Sequence, residues 1–295
     1  MITVEHAIRA LRRDRAVSML VRTFLAGGLL LGFVGGAMIG SLAASMIMFM
    51  AVGLAWAALT YRSALSAAAA ADSPSLIATG QFDEAENLIE QAIRKPSVFP
   101  NAKLVNLHHL AVLRHAQRKW ADSARLSRAL LSQRLKSNQL LARASQLMLA
   151  DALVELNDLP GAFESLSRMY SQKLSLDEAL ALLSVQLDYE AKVGAWEAMV
   201  RNIASRVQMA ELMPTKESAR SQALLGLAAL KTGRPDWAGW LKSRAVLLID
   251  SGELTDERPI LLELFPTNCT IPQAGVVGGT ESALNAPPGE VRPGL

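Results

Sequence analysis

The longest charge-free run in the chain lies between Arg22 and Arg62. It holds thirty-nine residues without Asp, Glu, Lys or Arg, and nearly all are Leu, Met, Ala, Gly, Val, Ile or Phe. One helix of this length would extend about 58 Å at 1.5 Å per residue. The hydrocarbon core of a bilayer is only about 30 Å thick and is crossed by about 20 apolar residues. The run therefore predicts a transmembrane helical hairpin over residues 23–61.

Two other interpretations of this run are a cleavable signal peptide and a single membrane crossing. A cleavable signal peptide has a basic start but an apolar stretch of only about 7–15 residues, so the run is far too long for one. A single crossing would leave its remaining apolar residues to be buried elsewhere. In the hairpin, we expect the arms over residues 19–34 and 42–60. The break would fall between Gly35 and Ser41, where glycines lower the cost of a tight turn.

Glycines recur along the run every four residues and form one stripe on a helix. Close backbone approach along such a stripe is typical of packed membrane helices. The stripe predicts packing of the two arms or a homo-oligomer of anchors, and its members are Gly28, Gly32, Gly36 and Gly40.

Arginines on the N-terminal side of the run set its expected orientation. Residues 1–22 carry five arginines against two acidic residues, and such clusters stay on the cytoplasmic side and attract anionic headgroups. Two crossings return the rest of the chain to the cytoplasm, whereas one crossing exports it. We expect an integral protein of a bacterial-type inner membrane with a cytoplasmic main domain. Residues 4–20 either lie on the membrane surface as a basic amphipathic helix or form an ordinary charged flank.

Residues 64–265 predict an all-α domain with an internal repeat. Strong helix formers dominate, no segment alternates like a strand, and prolines fall between helical stretches. A small or polar turn residue is followed two positions later by a bulky residue and five positions later by a small one. A fixed period of this kind is the signature of stacked supersecondary units. The turns fall at Gly80, Arg118, Asn157, Gly194 and Gly233, with spacings of 38, 39, 37 and 39 residues.

This pattern resembles the tetratricopeptide repeat. Gly80, Phe82 and Ala85 match the opening Gly-x-Phe-x-x-Ala of that family's second helix, and Ala111 and Ala150, each preceded by leucine, match the small residue of its first helix. The resemblance implies an α-solenoid of about five degenerate helix pairs, in which small residues let helices approach and bulky ones fill the gaps. The spacing exceeds the family's usual period of about 34 residues, which implies longer helices or turns.

The resemblance also implies a groove lined by the first helix of each pair. Some members of the family clamp a C-terminal carboxylate there with Lys and Asn, but His108 and Val112 stand at the corresponding places here. The mixed side chains instead suit an extended or helical peptide from a protein partner. The expected groove residues are His108, Val112, His115, Leu147, Asp151, Glu155, Ser184, Asp188, Lys192, Arg220, Leu227 and Lys231.

Motifs for catalysis and for metal or cofactor binding are absent from the sequence. It contains no Gly-x-Ser-x-Gly, P-loop, His-Glu-x-x-His or dinucleotide fingerprint. His108 and His115 lie two helical turns apart, about 10.5 Å, which is too far for adjacent ligation of one ion. The lone Cys269 excludes an internal disulfide. Residues 62–265 are close to neutral, so no nucleic-acid surface is expected, and the Pro/Gly-rich residues 266–295 are expected to be disordered.

Together these patterns predict a membrane-anchored scaffold that is not an enzyme. Its hairpin would lie among membrane lipids, its groove would bind a protein partner, and no cofactor or metal would be needed. Two alternatives stay open. One is an exported array that acts as an envelope assembly factor, and the other is an enzyme whose site has no recognisable motif.

Overall fold

The chain is all-helical throughout the part that its computed structural model describes, which comprises residues 3–39, 42–68, 70–95, 100–133, 135 and 138–266. The all-α expectation is confirmed for these residues. The expected disordered tail lies outside them, apart from Pro266. The helices are α1 (Val4–Ile39), α2 (Leu42–Ala68), α3 (Ser73–Ala78), α4 (Phe82–Arg94), α5 (Pro100–Ala116), α6 (Trp120–Leu131), α7 (Gln139–Glu155), α8 (Leu159–Tyr170), α9 (Leu176–Lys192), α10 (Trp196–Val200), α11 (Ile203–Glu211), α12 (Thr215–Lys231), α13 (Pro235–Leu248), α14 (Ser251–Glu257) and a short 3-10 helix (Pro259–Glu263).

Each of the five predicted turn residues lies between two helices. Within the described ranges they are also the residues with left-handed backbone: φ is 78° at Gly80, 57° at Arg118, 59° at Asn157, 70° at Gly194 and 72° at Gly233. The N–H one residue past the turn often closes the preceding helix by a bond to a carbonyl five residues back, as in a Schellman motif. Gln81, for example, donates to the carbonyl of Leu76 over 2.9 Å. The predicted turn positions are confirmed.

Consecutive first helices contact each other at equivalent positions. In the unit Met1–Leu156, His115 Nε2 lies 2.8 Å from Asp151 Oδ2, and the two residues are 36 apart in sequence. In the unit Asn157–Leu295, Arg220 donates to Ser184 across the same sequence interval. This interval is close to the spacing of the turns, so in each unit the contact joins the helices that precede two successive turns.

The small residue seven positions before a turn allows the helices of a pair to approach. Ala111 and Ala150 are fully buried there. At the same position, a Cβ on Gly226 would lie only 3.3 Å from Leu241 Cβ. Gly226 belongs to α12, which is the centre of the second unit and packs against α9, α10, α11 and α13. A larger side chain there would force α13 away from α12.

The first half of α1 is part of the core of the first unit. Val4, Ala7, Ala10 and Leu11 are buried in one cluster with residues of α4 and α5, such as Ile89. Protein therefore covers the apolar side chains at the beginning of α1, whereas Val17, Met19 and Leu20 farther along are exposed. The buried residues are spaced so that they lie on one side of α1, and this side packs against α4 and α5.

A buried ion pair fixes this contact. Lys103 of α5 is 2% exposed, and its Nζ lies 3.2 Å from Asp14 Oδ2 of α1. Lys103 also donates to the carbonyls of Lys95, over 2.7 Å, and Ile93. Burial lowers the pKa of Lys103, and the neighbouring Asp14 opposes part of this effect. An ammonium buried this deeply needs such a set of acceptors, so Asp14 ties α1 to the repeats.

The second half of α1 and α2 form a helical hairpin. α1 continues through Gly35 and Gly36 to Ile39, so the chain does not break at these two glycines; a helical glycine costs only about 1 kcal/mol. Of the glycine stripe, Gly28 faces the other arm, since a Cβ there would lie 4.0 Å from Val52 Cγ2. Gly40 and Ser41, where the predicted break ends, lie outside the described residues. In the part of the chain that is described, no helix has both the length and the apolar content needed to span a bilayer.

Two Gly→Ala substitutions in the second unit should change stability in opposite directions. At Gly233, φ is 72° and a Cβ would meet nothing within 4 Å, so alanine would suffer only the left-handed backbone cost of about 1 kcal/mol. At Gly239, inside α13, a Cβ also meets nothing within 4 Å, and alanine should stabilise the helix by about 1 kcal/mol. Urea unfolding of both variants measures this. Equal shifts of the same sign would contradict the turn assignment.

Candidate functional site

The predicted groove residues of the first unit lie on neighbouring faces of α5 and α7. His108, Val112 and His115 of α5 are half-buried, and so are their expected counterparts on α7, Leu147, Asp151 and Glu155. The structure brings two pairs of side chains together across these helices. His115 bonds Asp151, and His108 Nδ1 lies 3.4 Å from Ser145 Oγ. Polar side-chain contacts thus join α5 and α7 along this face.

Burial keeps two of the histidines on α5 uncharged. It lowers the pKa of His108 to about 4, with a smaller contribution from the neighbouring His109. It also lowers the pKa of His109, which bonds Ser73 Oγ over 3.0 Å. Both imidazoles are therefore neutral at pH 7. No group of three or more His, Cys, Asp or Glu that could hold a metal ion occurs among the described residues.

The predicted groove residues of the second unit are mostly structural. Leu227 is fully buried in the core around α12, so it cannot line a groove. Ser184 is buried and accepts a hydrogen bond from Arg220. Lys192 and Lys231 are exposed, and Lys231 pairs with Glu263. The register of the repeat placed these residues on first helices correctly, but it could not show which of them the C-terminal helices would cover.

Asp188 is the clearest departure from the expected groove. Its side chain is 2% exposed and lies between two arginines. Arg258 donates from Nε to Oδ1 over 3.0 Å and from Nη2 to Oδ2 over 3.3 Å, and Arg220 Nη2 is 3.3 Å from Oδ2. This carboxylate joins α9, α12 and the segment after α14. It stabilises the fold and is not available to a partner.

Asp188→Asn should therefore lower the free energy of unfolding by about 3 kcal/mol, because it leaves two part-buried arginines without their shared anion. Asp177→Asn, at an exposed position of the same helix, is the matched control and should change stability by less than about 0.5 kcal/mol. Urea denaturation of the full chain measures both. Equal stabilities of the two variants would contradict the structural role of Asp188.

The second unit contains an open cleft of about 610 Å³, and of the predicted groove residues only Ser184 is among those that line it. It lies where the beginnings of α9 and α12 meet the end of α11. Buried Leu180 and Met213 form apolar walls, Leu212 is 61% exposed, and two carboxylates stand among the lining residues. The lining comprises Asp177, Leu180, Ala181, Ser184, Leu212, Met213, Pro214 and Glu217.

Local sequence explains why the cleft forms. The second helix of this pair is divided into α10 and α11, so it is not one continuous rod along α9. Pro214 then begins α12, with its own φ at −53° and ψ at 152°, because proline favours extended backbone and suits a helix start. The sequence pattern predicted Ser184 as a groove residue, but it did not predict the other residues that line the cleft.

The hairpin of α1 and α2 exposes an unusual amount of apolar surface. Phe24 is 88% exposed, and the side chains around it on both helices are also open. Soluble monomers rarely expose large contiguous apolar patches, and those that do use them for binding. The exposed large apolar residues are Met19, Leu20, Phe24, Leu30, Met46, Ile47, Phe49, Met50, Leu54, Trp56, Tyr61 and Leu65.

Comparisons of the chain with protein-family models, with curated proteins and with solved structures gave no match.

Proposed function

We propose that the chain is a membrane-anchored, tetratricopeptide-like scaffold that holds a protein partner beside the bilayer. The exposed apolar surface of the α1–α2 hairpin is the observation that carries this proposal. A long run without charge, flanked by arginines, supports it from the sequence. Helix pairs that lie side by side offer extended surfaces of the kind that repeat proteins use for binding.

The hairpin gains free energy only if something apolar covers it. Each large apolar side chain gains about 1.5–3 kcal/mol when it leaves water completely, and twelve such residues are exposed between positions 19 and 65. Lipid acyl chains are the cover that the flanking arginines favour, since Arg9 and Arg12 are exposed on the part of α1 that precedes the hairpin. The hairpin is therefore proposed as the anchor, with both its ends on the cytoplasmic side.

The cleft between α9, α11 and α12 is proposed as the site for the partner. Its apolar walls suit one or two aliphatic or aromatic side chains, and Asp177 and Glu217 favour a basic residue next to them. A helical or extended peptide that combines an apolar anchor with Lys or Arg meets both requirements. This cleft replaces the groove around Asp188 as the proposed binding surface.

The anchor is tested by cysteine accessibility in intact membranes. In a Cys269→Ser background, His6→Cys and Ser132→Cys each place one exposed thiol before and after the hairpin. We expect both thiols to react with an impermeant maleimide from the cytoplasmic side only, and the chain to stay in the membrane pellet after alkaline carbonate. Thiols that react from opposite sides would support a single crossing. Release of the chain by carbonate would contradict the anchor itself.

The cleft is tested by filling it. Ala181→Trp adds a large side chain at an exposed lining position of α9, and Ser243→Trp adds the same side chain at an exposed position of α13. A photo-crosslinking residue at Leu212 reports occupancy in cells. We expect Ala181→Trp to lower the yield of protein adducts at least tenfold and Ser243→Trp to leave it unchanged, with both variants equally stable. Equal adduct yields in both variants would argue against the cleft.

A further inference from the structure

The two units carry net charges of opposite sign. Met1–Leu156 contains seventeen Lys and Arg against ten Asp and Glu, whereas Asn157–Leu295 contains thirteen against seventeen. The net charge of residues 62–265 is close to zero because it combines parts of both units. The excess of positive charge lies in the unit that also contains the apolar hairpin.

Much of that excess lies on and around α6. Between Arg114 and Arg143 the chain holds eight basic residues and only one acidic residue, Asp122. Asp122 is half-buried. The inner face of α6 is covered by the rest of the unit through Ser123, Ala124, Leu126, Ser127 and Leu130.

The outer face of α6 is a basic strip. Exposed positions follow each other at intervals of three or four residues, the spacing of one helical face. The strip begins at the left-handed turn residue Arg118, and among the described residues of this face no carboxylate intervenes. Its members are Arg118, Ala121, Arg125, Arg128 and Ser132.

The strip and the charge-free run belong to the same unit. α6 packs against α1, the helix that leads into the run, and the last buried residue of the first half of α1 is Ser18. If the hairpin anchors this unit in a bilayer, the anchor raises the effective concentration of headgroups at the strip.

We propose that the basic strip of α6 rests on anionic phospholipid headgroups. This inference rests on the proposed membrane anchor and adds a second contact to it. Guanidinium groups suit the role because they bind phosphate oxygens in a bidentate manner.

Quenching of a single fluorophore tests the contact. The full chain, in a Cys269→Ser background, carries the label at Ala121→Cys on the strip or, as control, at Ser243→Cys in the second unit. It is reconstituted into vesicles of phosphatidylcholine alone or with phosphatidylglycerol, each with a headgroup-attached quencher. We expect quenching at position 121 only in the anionic vesicles, reversed by 0.5 M salt.

Charge removal supplies the matched comparison. Arg118→Gln/Arg125→Gln/Arg128→Gln should weaken the headgroup contact about a hundredfold, which is about fivefold per arginine. Arg168→Gln/Lys192→Gln/Arg201→Gln removes the same charge from exposed positions of the second unit and should leave quenching at position 121 unchanged.

Each other outcome overturns the inference. Equal quenching in neutral and anionic vesicles, or quenching unaffected by the α6 triple variant, would refute it while flotation with vesicles still supports the anchor. Binding of single-stranded RNA that the α6 variant abolishes, without lipid-dependent quenching, would assign the strip to nucleic acid. A chain that does not float with either vesicle would refute the anchor and this contact together.

Discussion

The docking of the first half of α1 on α4 and α5 is the contact on which the rest of the molecule depends. α1 is one continuous helix of 36 residues, so whatever holds its beginning also fixes the direction in which its apolar half leaves the repeats. Buried Val4, Ala7 and Leu11 provide the apolar part of this contact. The pair of Lys103 and Asp14 makes it specific, since either charge alone would be buried without its partner.

A second ion-pair centre stabilises the other unit in a similar way. Asp188 holds Arg220 and Arg258, and so connects α9 and α12 to the segment that ends the described array. α14 and the 3-10 helix also bury Leu254 and Leu261 in the core of this unit. In each unit a buried carboxylate thus joins helices that are distant in sequence.

The sequence predicted the parts of the structure that local chemistry determines. The five turns were predicted because a small or polar residue is followed by a bulky one two positions later and by a small one five positions later. The structure shows left-handed backbone at all five, including Arg118 and Asn157. The exposure of the predicted groove residues was predicted less well. Periodicity puts Asp188 and Leu227 on first helices, but burial depends on which other elements cover them, and this is set by contacts distant in sequence such as Asp188 with Arg258. The cleft beside Pro214 arises from a divided helix, which leaves no periodic signal.

We propose different roles for the two units, membrane anchoring for the first and partner binding for the second. The first unit combines the exposed apolar hairpin with positive charge, and the second combines an apolar cleft with acidic lining residues. An anchor and a partner site on separate units need no conformational change to act together. Each can be altered without disturbing the core of the other, as the exposed positions of Phe24 and Leu212 allow.

The most direct measurement is photo-crosslinking from position 8, with a benzophenone amino acid in place of Ile8 in the membrane-reconstituted chain. Ile8 is half-buried at the edge of the cluster formed by α1, α4 and α5. The docked arrangement predicts adducts, identified by mass spectrometry, with peptides of residues 82–116. Adducts with lipid acyl chains, and none with these peptides, would show that the beginning of α1 lies in the membrane and would contradict the account.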